Sequence, residues 1–259
     1  DLYLTIDYNI QFQAEVLLQE SNKNIDIESG QIIVLKPGSG RVIALANFPS
    51  FDPNTYSRET NFEIFQNSVT QKIFEPGSIF KPFTMAMALE EGKITPETTF
   101  VDSGFAKIGP DTVYNFDRKV YGRQTMSGIF EKSINTGAVF LSQSMPNETF
   151  FKYVKELGFN EKTEIDLQGE VSSRNEVLKN GPEFGFATAS FGQGIEMTPI
   201  QLARAFSIFA NRGKMPKPYV VGKIIHGEEE FEVKPKLSSP VISEKTASEV
   251  TTMLINVVE

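Results

Sequence analysis

The sequence predicts an α+β fold. Two strand regions, near residues 31–46 and 219–233, enclose a long middle in which apolar residues recur at helical spacing. With 259 residues, 40% hydrophobic and 22% charged, the composition is that of an ordered chain with a sizeable core. No internal repeat, low-complexity tract or linker divides it, so residues 1–259 read as one domain.

Taken in order, Asp7 precedes Ile10, Ala14, Val16, Leu17 and Leu18, the pattern of an amphipathic helix capped by an acidic side chain. Residues 31–35 and 42–46 are apolar runs on either side of Lys36-Pro37-Gly38-Ser39-Gly40, a hairpin signature. Residues 48–54, Phe-Pro-Ser-Phe-Asp-Pro-Asn, predict a loop. Glu75-Pro76-Gly77 is a second breaker, after which 78–91 reads as one helix closed by Gly92. Further helices are predicted at 125–131, 136–143, 148–157, 198–211 and 244–258, and strands at 219–225 and 230–233 around His226-Gly227.

Composition removes several chemistries. The net charge of −8, with no basic stripe, argues against nucleic acid as a partner, because affinity there rests on neutralising phosphates. Without cysteine there is no thiol nucleophile, thiolate metal site or disulfide. The single histidine, His226, falls in a predicted turn; one imidazole makes no paired-histidine zinc site, and no Gly-x-Ser-x-Gly elbow accompanies it. There is no phosphate-binding glycine loop, and no metal or organic cofactor is expected. No apolar run is long enough to span a membrane; the chain starts at Asp1 and stops at Glu259 within a predicted helix, so it reads as a piece of a longer protein.

Ser78-Ile79-Phe80-Lys81 is the one Ser-x-x-Lys pattern present. About one occurrence is expected by chance in a chain this long, so its setting matters more than the pattern. Serine and lysine three apart on a helix share a face. The breaker before Ser78 leaves the helix N-terminus open, where free N–H groups favour developing negative charge. A serine hydroxyl becomes a nucleophile when a base takes its proton, and lysine serves only when neutral. Burial among Ile79, Phe80 and Phe83 is the expected means of lowering the Lys81 pKa.

The segment from Phe74 to Thr84, Phe-Glu-Pro-Gly-Ser-Ile-Phe-Lys-Pro-Phe-Thr, with Asn67 ahead of it, resembles the Glu-Pro-Gly-Ser-x-x-Lys segment of penicillin-binding proteins. The resemblance continues in order along nearly the whole chain. Leu4-Thr5-Ile6-Asp7 through Gln11 is similar to the opening of their transpeptidase domain, and residues 30–46 to its first hairpin. Pro49-Ser50-Phe51-Asp52-Pro53-Asn54 follows. Ser190-Phe191-Gly192-Gln193-Gly194, with Thr198-Pro199-Ile200-Gln201-Leu202-Ala203, forms a further block. The implied fold is serine β-lactamase/transpeptidase-like, an antiparallel sheet flanked by helices.

The family's second motif, Ser-x-Asn, has two candidates. Ser133-Ile134-Asn135 lies 133 − 78 = 55 residues after Ser78, between two predicted helices, and continues into Thr136-Gly137 as the family does. Ser173-Arg174-Asn175 sits in a polar stretch after Gly169-Glu170 and is expected at the surface. The resemblance implies Ser78, Lys81 and Ser133 as catalytic residues, with Asn135 and Thr136 binding substrate. Gly192 and Gly194 are expected to be turn glycines. The third motif, Lys-Thr-Gly, is absent; Lys245-Thr246-Ala247 falls in the last predicted helix and is no substitute. The expectation is therefore a partial domain, lacking C-terminal strands, that is inactive and poorly stable in isolation.

The implied reaction is D,D-transpeptidation: Ser78 is acylated by stem peptides ending in D-Ala-D-Ala, or by β-lactams, and an amine resolves the ester into a cross-link. The opening segment and the 190–194 block are most similar to the monofunctional class B enzymes of division or elongation. That class implies a membrane glycosyltransferase partner and the extracytoplasmic face of the bacterial membrane. A β-lactamase or β-lactam sensor of the same fold, and a non-catalytic scaffold, remain alternatives.

Overall fold

The structure is a computed structural model and describes residues 1–258. Strand β1 (Leu2–Leu4) leads into helix α1 (Tyr8–Ile25), where the Asp7 carboxylate accepts from the Asn9 and Ile10 amides at 3.0 and 3.1 Å. The acidic cap predicted from sequence thus satisfies two of the amides that a helix start leaves unpaired. Strands β2 (Gly30–Leu35) and β3 (Val42–Phe48) form the predicted antiparallel hairpin. Ala44 and Ala46 of β3 pack on Ala14 and Leu18 of α1. Gly40 at the turn has φ +84°, and a Cβ there would lie 2.0 Å from the Lys217 carbonyl oxygen; only glycine lets these backbones approach.

The short helix α2 (Ser68–Gln71) precedes the centre of the molecule, α3 (Lys81–Glu90), in which every residue from Lys81 to Leu89 is buried. A helix that is apolar on all sides belongs in a core. Phe83 lies edge-on to Phe159 and Phe206, with centroids 5.6 and 4.8 Å apart. Around α3 stand α4 (Met126–Glu131), α5 (Asn135–Gln143), α6 (Asn147–Glu156), α7 (Glu183–Ala189), α8 (Pro199–Ala210) and α9 (Glu244–Ile255). They contribute Ile129, Leu141, Phe150, Phe186, Ile208 and Val250, in that order, to one apolar cluster. Lys245, Thr246 and Ala247 lie in the first turns of α9, with Thr246 and Ala247 buried, so that stretch is helical as read.

Between α3 and α4 run four short strands: β4 (Thr99–Asp102) pairs with β7 (Gly122–Thr125), and β5 (Phe105–Ile108) with β6 (Asp111–Tyr114). Strands β8 (Val221–His226) and β9 (Glu229–Glu232) form the predicted second hairpin, and β1 adds to the outer side of β8. All pairing between strands is antiparallel and the class is α+β. The sequence did not signal β4 to β7, because four-residue strands show too little alternation and β4 meets its partner across twenty residues.

One correction bears on the site. The predicted single helix 78–91 is two elements, a 3-10 turn over Gly77–Phe80 and then α3. Pro82 explains the break: it has no N–H to offer the Ser78 carbonyl, which accepts from Lys81 N instead.

Candidate active site

Ser78 sits in the 3-10 turn, held from behind by the 190–197 segment. Phe74 and Met197 exchange backbone hydrogen bonds of 2.9 and 3.1 Å, and Gly77 N donates to Gly192 O at 3.0 Å. Gly194 N donates to the Glu75 carboxylate at 3.0 Å. At Gly192, φ is +81° and a Cβ would fall 2.1 Å from Gly77 O. This glycine is therefore more than the turn residue it was read as: without it the backbone could not lie directly behind the nucleophile candidate.

Lys81, one turn on, is 1% exposed. Its ammonium donates to Ser133 O (2.7 Å), Ser133 Oγ (3.0 Å) and Asn135 Oδ1 (3.0 Å), and Ser133 Oγ in turn donates to Ser78 Oγ at 3.0 Å. The link from lysine to Ser78 thus passes through Ser133. Desolvation lowers the Lys81 pKa from 10.5 to about 7, so a large fraction of the amine is neutral at neutral pH. Phe80 and Phe83 are themselves fully buried, whereas Ile79 is 48% exposed. Ser78 and Ser133 are exposed residues, while Lys81 is buried.

The 133–135 turn joins α4 to α5 with Ser133 at φ 50°, a left-handed conformation unusual for serine. Ser133 N donates to Phe130 O and Ile134 N to Ile129 O. Asn135 is half-buried; besides accepting from Lys81, its Nδ2 donates to Tyr114 O at 3.2 Å. Thr136 departs from expectation. It is buried, and its hydroxyl donates to the Asp102 carboxylate at 2.6 Å, so it faces the protein interior rather than a substrate.

The second Ser-x-Asn candidate is also corrected: Ser173 and Asn175 are buried, not at the surface. Asn175 Nδ2 donates to Glu196 O, Asn160 Oδ1 and Phe159 O, and its Oδ1 accepts from Glu196 N. The segment pins a loop and stays apart from Lys81. Sequence reading missed Asp102 and Asn115. The available signal was Asp102-Ser103-Gly104, an aspartate whose side chain accepts from the amide two residues on, as Asp102 Oδ1 does from Gly104 N at 2.9 Å.

An exposed serine hydroxyl linked through a second serine to a dry lysine, at the N-terminal end of a buried helix, defines a serine–lysine centre on an α+β scaffold. The chain belongs to the family described as the penicillin binding protein transpeptidase domain, which matches residues 30–259. It is 32% identical to stage V sporulation protein D of Bacillus subtilis (strain 168) over all of this chain and 41% of that protein. It is likewise 32% identical to the probable peptidoglycan D,D-transpeptidase PenA of Neisseria flavescens, over 100% of this chain and 62% of that one. Among solved structures, penicillin binding protein 3 from Mycobacterium tuberculosis complexed with aztreonam superposes with a TM-score of 0.90 at 27% identity, over all of this chain and 58% of that one. The chain therefore spans roughly two-fifths to three-fifths of these relatives' length. Among the described residues, no helix is long and apolar enough to cross a membrane.

Proposed function

We propose that the chain is part of a peptidoglycan D,D-transpeptidase in which Ser78 is the nucleophile, Lys81 the base and Ser133 the proton relay. Residues 1–259 form one partial domain. The observation that carries this reading is the unbroken polar line from Lys81 Nζ through Ser133 Oγ to Ser78 Oγ, each step 3.0 Å, ending on an amine whose pKa burial brings to about 7.

Ser78 Oγ attacks the carbonyl between the two terminal D-alanines of a stem peptide, and its proton passes through Ser133 to the Lys81 amine. The Ser78 N–H, in the 3-10 turn ahead of α3, supports the developing oxyanion. Collapse breaks the peptide bond; the departing D-alanine amine takes the proton back from Lys81 by way of Ser133, leaving an ester on Ser78. An amine from a neighbouring stem peptide attacks that ester, forms the cross-link and frees the hydroxyl. A β-lactam enters the same first step, but its opened ring stays attached, so Ser78 is held as a stable ester. Asn135 orients Lys81 and borders the acyl site. Resemblance to the class B enzymes supports a membrane glycosyltransferase partner and a place on the extracytoplasmic membrane face. The 259-residue chain alone, without Lys-Thr-Gly, lacks one oxyanion donor, a loss of about a hundred- to a thousandfold in turnover.

The test is acylation of the full-length protein by a fluorescent penicillin. The wild type takes up one label, mapped by mass spectrometry to the peptide containing Ser78, and sheds it slowly. Ser78→Ala takes up none. Labelling of Ser78→Ala at the wild-type level defeats the proposal, and rapid shedding by the wild type favours a β-lactamase.

A further inference from the structure

We propose that Asp102 is a positioning residue for this centre, acting through Asn115 and Thr136 to hold the 133–135 turn in the shape that brings Ser133 between Lys81 and Ser78. The inference rests on the reading of those three residues given above, and adds a part of the machinery that no motif marks.

Asp102 ends β4 and is 1% exposed. Its Oδ1 accepts from Gly104 N (2.9 Å), Asn115 Nδ2 (3.0 Å) and Thr136 Oγ1 (2.6 Å), and its Oδ2 from Asn115 Nδ2 (2.9 Å) and Tyr121 N (2.7 Å). Burial pushes this carboxyl up, but the bonds from Thr136, Gly104, Tyr121 and Asn115 outweigh it and hold it below the ordinary carboxylate range. A charged, buried carboxylate satisfied by neutral donors is stable only while all of them stay in place. Asn115, also buried, accepts from Thr136 N at 3.1 Å and donates to Lys119 O at 3.0 Å. The network thus fastens the end of β4, the residue after β6 and the 119–121 loop to the first turn of α5. The positive end of that helix also favours the negative charge.

What is fastened is the C-terminal end of the turn. A serine at φ 50° holds a strained backbone and keeps it only where its surroundings leave no alternative. On the N-terminal side the restraint is the pair of α4 carbonyls that accept from Ser133 and Ile134. On the C-terminal side it is Thr136, held by amide and hydroxyl alike. Releasing that side lets Ser133 relax toward an ordinary φ and swings its hydroxyl out of the line between amine and nucleophile. Asp102 touches neither Ser78 nor Lys81; its influence is geometric.

The test uses the full-length protein and three substitutions: Asp102→Asn, Thr136→Val and Thr136→Ser. Asp102→Asn turns an amide donor toward Asn115; should it fail to fold, Thr136→Val deletes a single bond and carries the test alone. The expected result is a fall of about ten- to a hundredfold in the first-order acylation constant of Ser78 by a fluorescent penicillin. The saturation constant stays within about twofold, because ground-state binding is untouched. Thr136→Ser, which restores the hydroxyl, acylates at close to the wild-type rate. Wild-type acylation by folded Thr136→Val overturns the proposal. So does a rise in the saturation constant alone, which would mean the hydroxyl contacts substrate. If the wild type is not acylated, the transpeptidase reading fails separately, and amide exchange decides the clasp. Exchange at Ser133 and Ile134 about tenfold faster in Thr136→Val than in the wild type supports it, and unchanged exchange overturns it.

Discussion

The chain carries the pattern Ser-x-Asn twice, and the two copies have opposite fates. At 133–135 and 173–175 alike, one residue adopts a left-handed backbone, Ser133 at φ 50° and Asn175 at φ 46°. In the second copy the side chains of Ser173 and Asn175 are spent on the protein. Ser173 Oγ bonds the Glu196 carboxylate, and Asn175, 5% exposed, is occupied by Phe159, Asn160 and Glu196. In the first copy Ser133 is exposed, and Ser133 O, Ser133 Oγ and Asn135 Oδ1 converge on one buried amine. The difference teaches that the triplet is a turn-forming unit, and that its chemistry is set by what packs opposite.

Substitutions can break that contrast. Ser133→Ala removes the relay and is expected to lower Ser78 acylation in the full-length protein by about a hundred- to ten thousandfold. Ser173→Ala should leave the rate within a small factor. Equal losses, measured with a fluorescent penicillin, would erase the distinction. Next in size, Asn175→Ala strips a buried amide from its partners and is expected to cost about 1–3 kcal/mol in stability, read from urea denaturation. Its acylation rate at low temperature should stay near wild type. The smallest effect sharpens the first copy alone. Lys81 must be neutral to accept a proton, and its pKa is lowered to about 7 by desolvation. Acylation should therefore level off above pH 7 and fall about tenfold for each unit below it. A midpoint near the ordinary lysine value would mean that the amine is solvated during the reaction.

Much of this architecture was legible in advance where the cause is local. Asp7 announced α1 because a carboxylate accepts from the amides two and three residues on. Thr198 was read as helical and proves to be the cap of α8, with Gln201 returning the bond. The hairpin at 30–48 followed from two apolar runs around Lys36–Gly40. Ser78 and Lys81 were marked by their spacing and by the Pro-Gly break before them. The strands between residues 99 and 125 were not legible, since β4 acquires its meaning only from β7, and Asp102 only from Asn115, Tyr121 and Thr136. Thr136 was assigned to substrate from its neighbours in the chain, whereas its hydroxyl is already committed to Asp102.

The sequence by itself determined the family, most of the helices, the Asp7 cap, the two main hairpins and the spacing of Ser78 and Lys81, all written in short-range order along the chain; helices α2 and α7, short and without a start signal, were not read from it. Tertiary structure alone decided that Lys81 is dry while Ser78 is exposed, that the bond between them runs through Ser133, and that Gly192 lies directly against the backbone of Gly77, next to Ser78. Desolvation and close backbone approach are produced by groups far apart in sequence, so no local pattern records them.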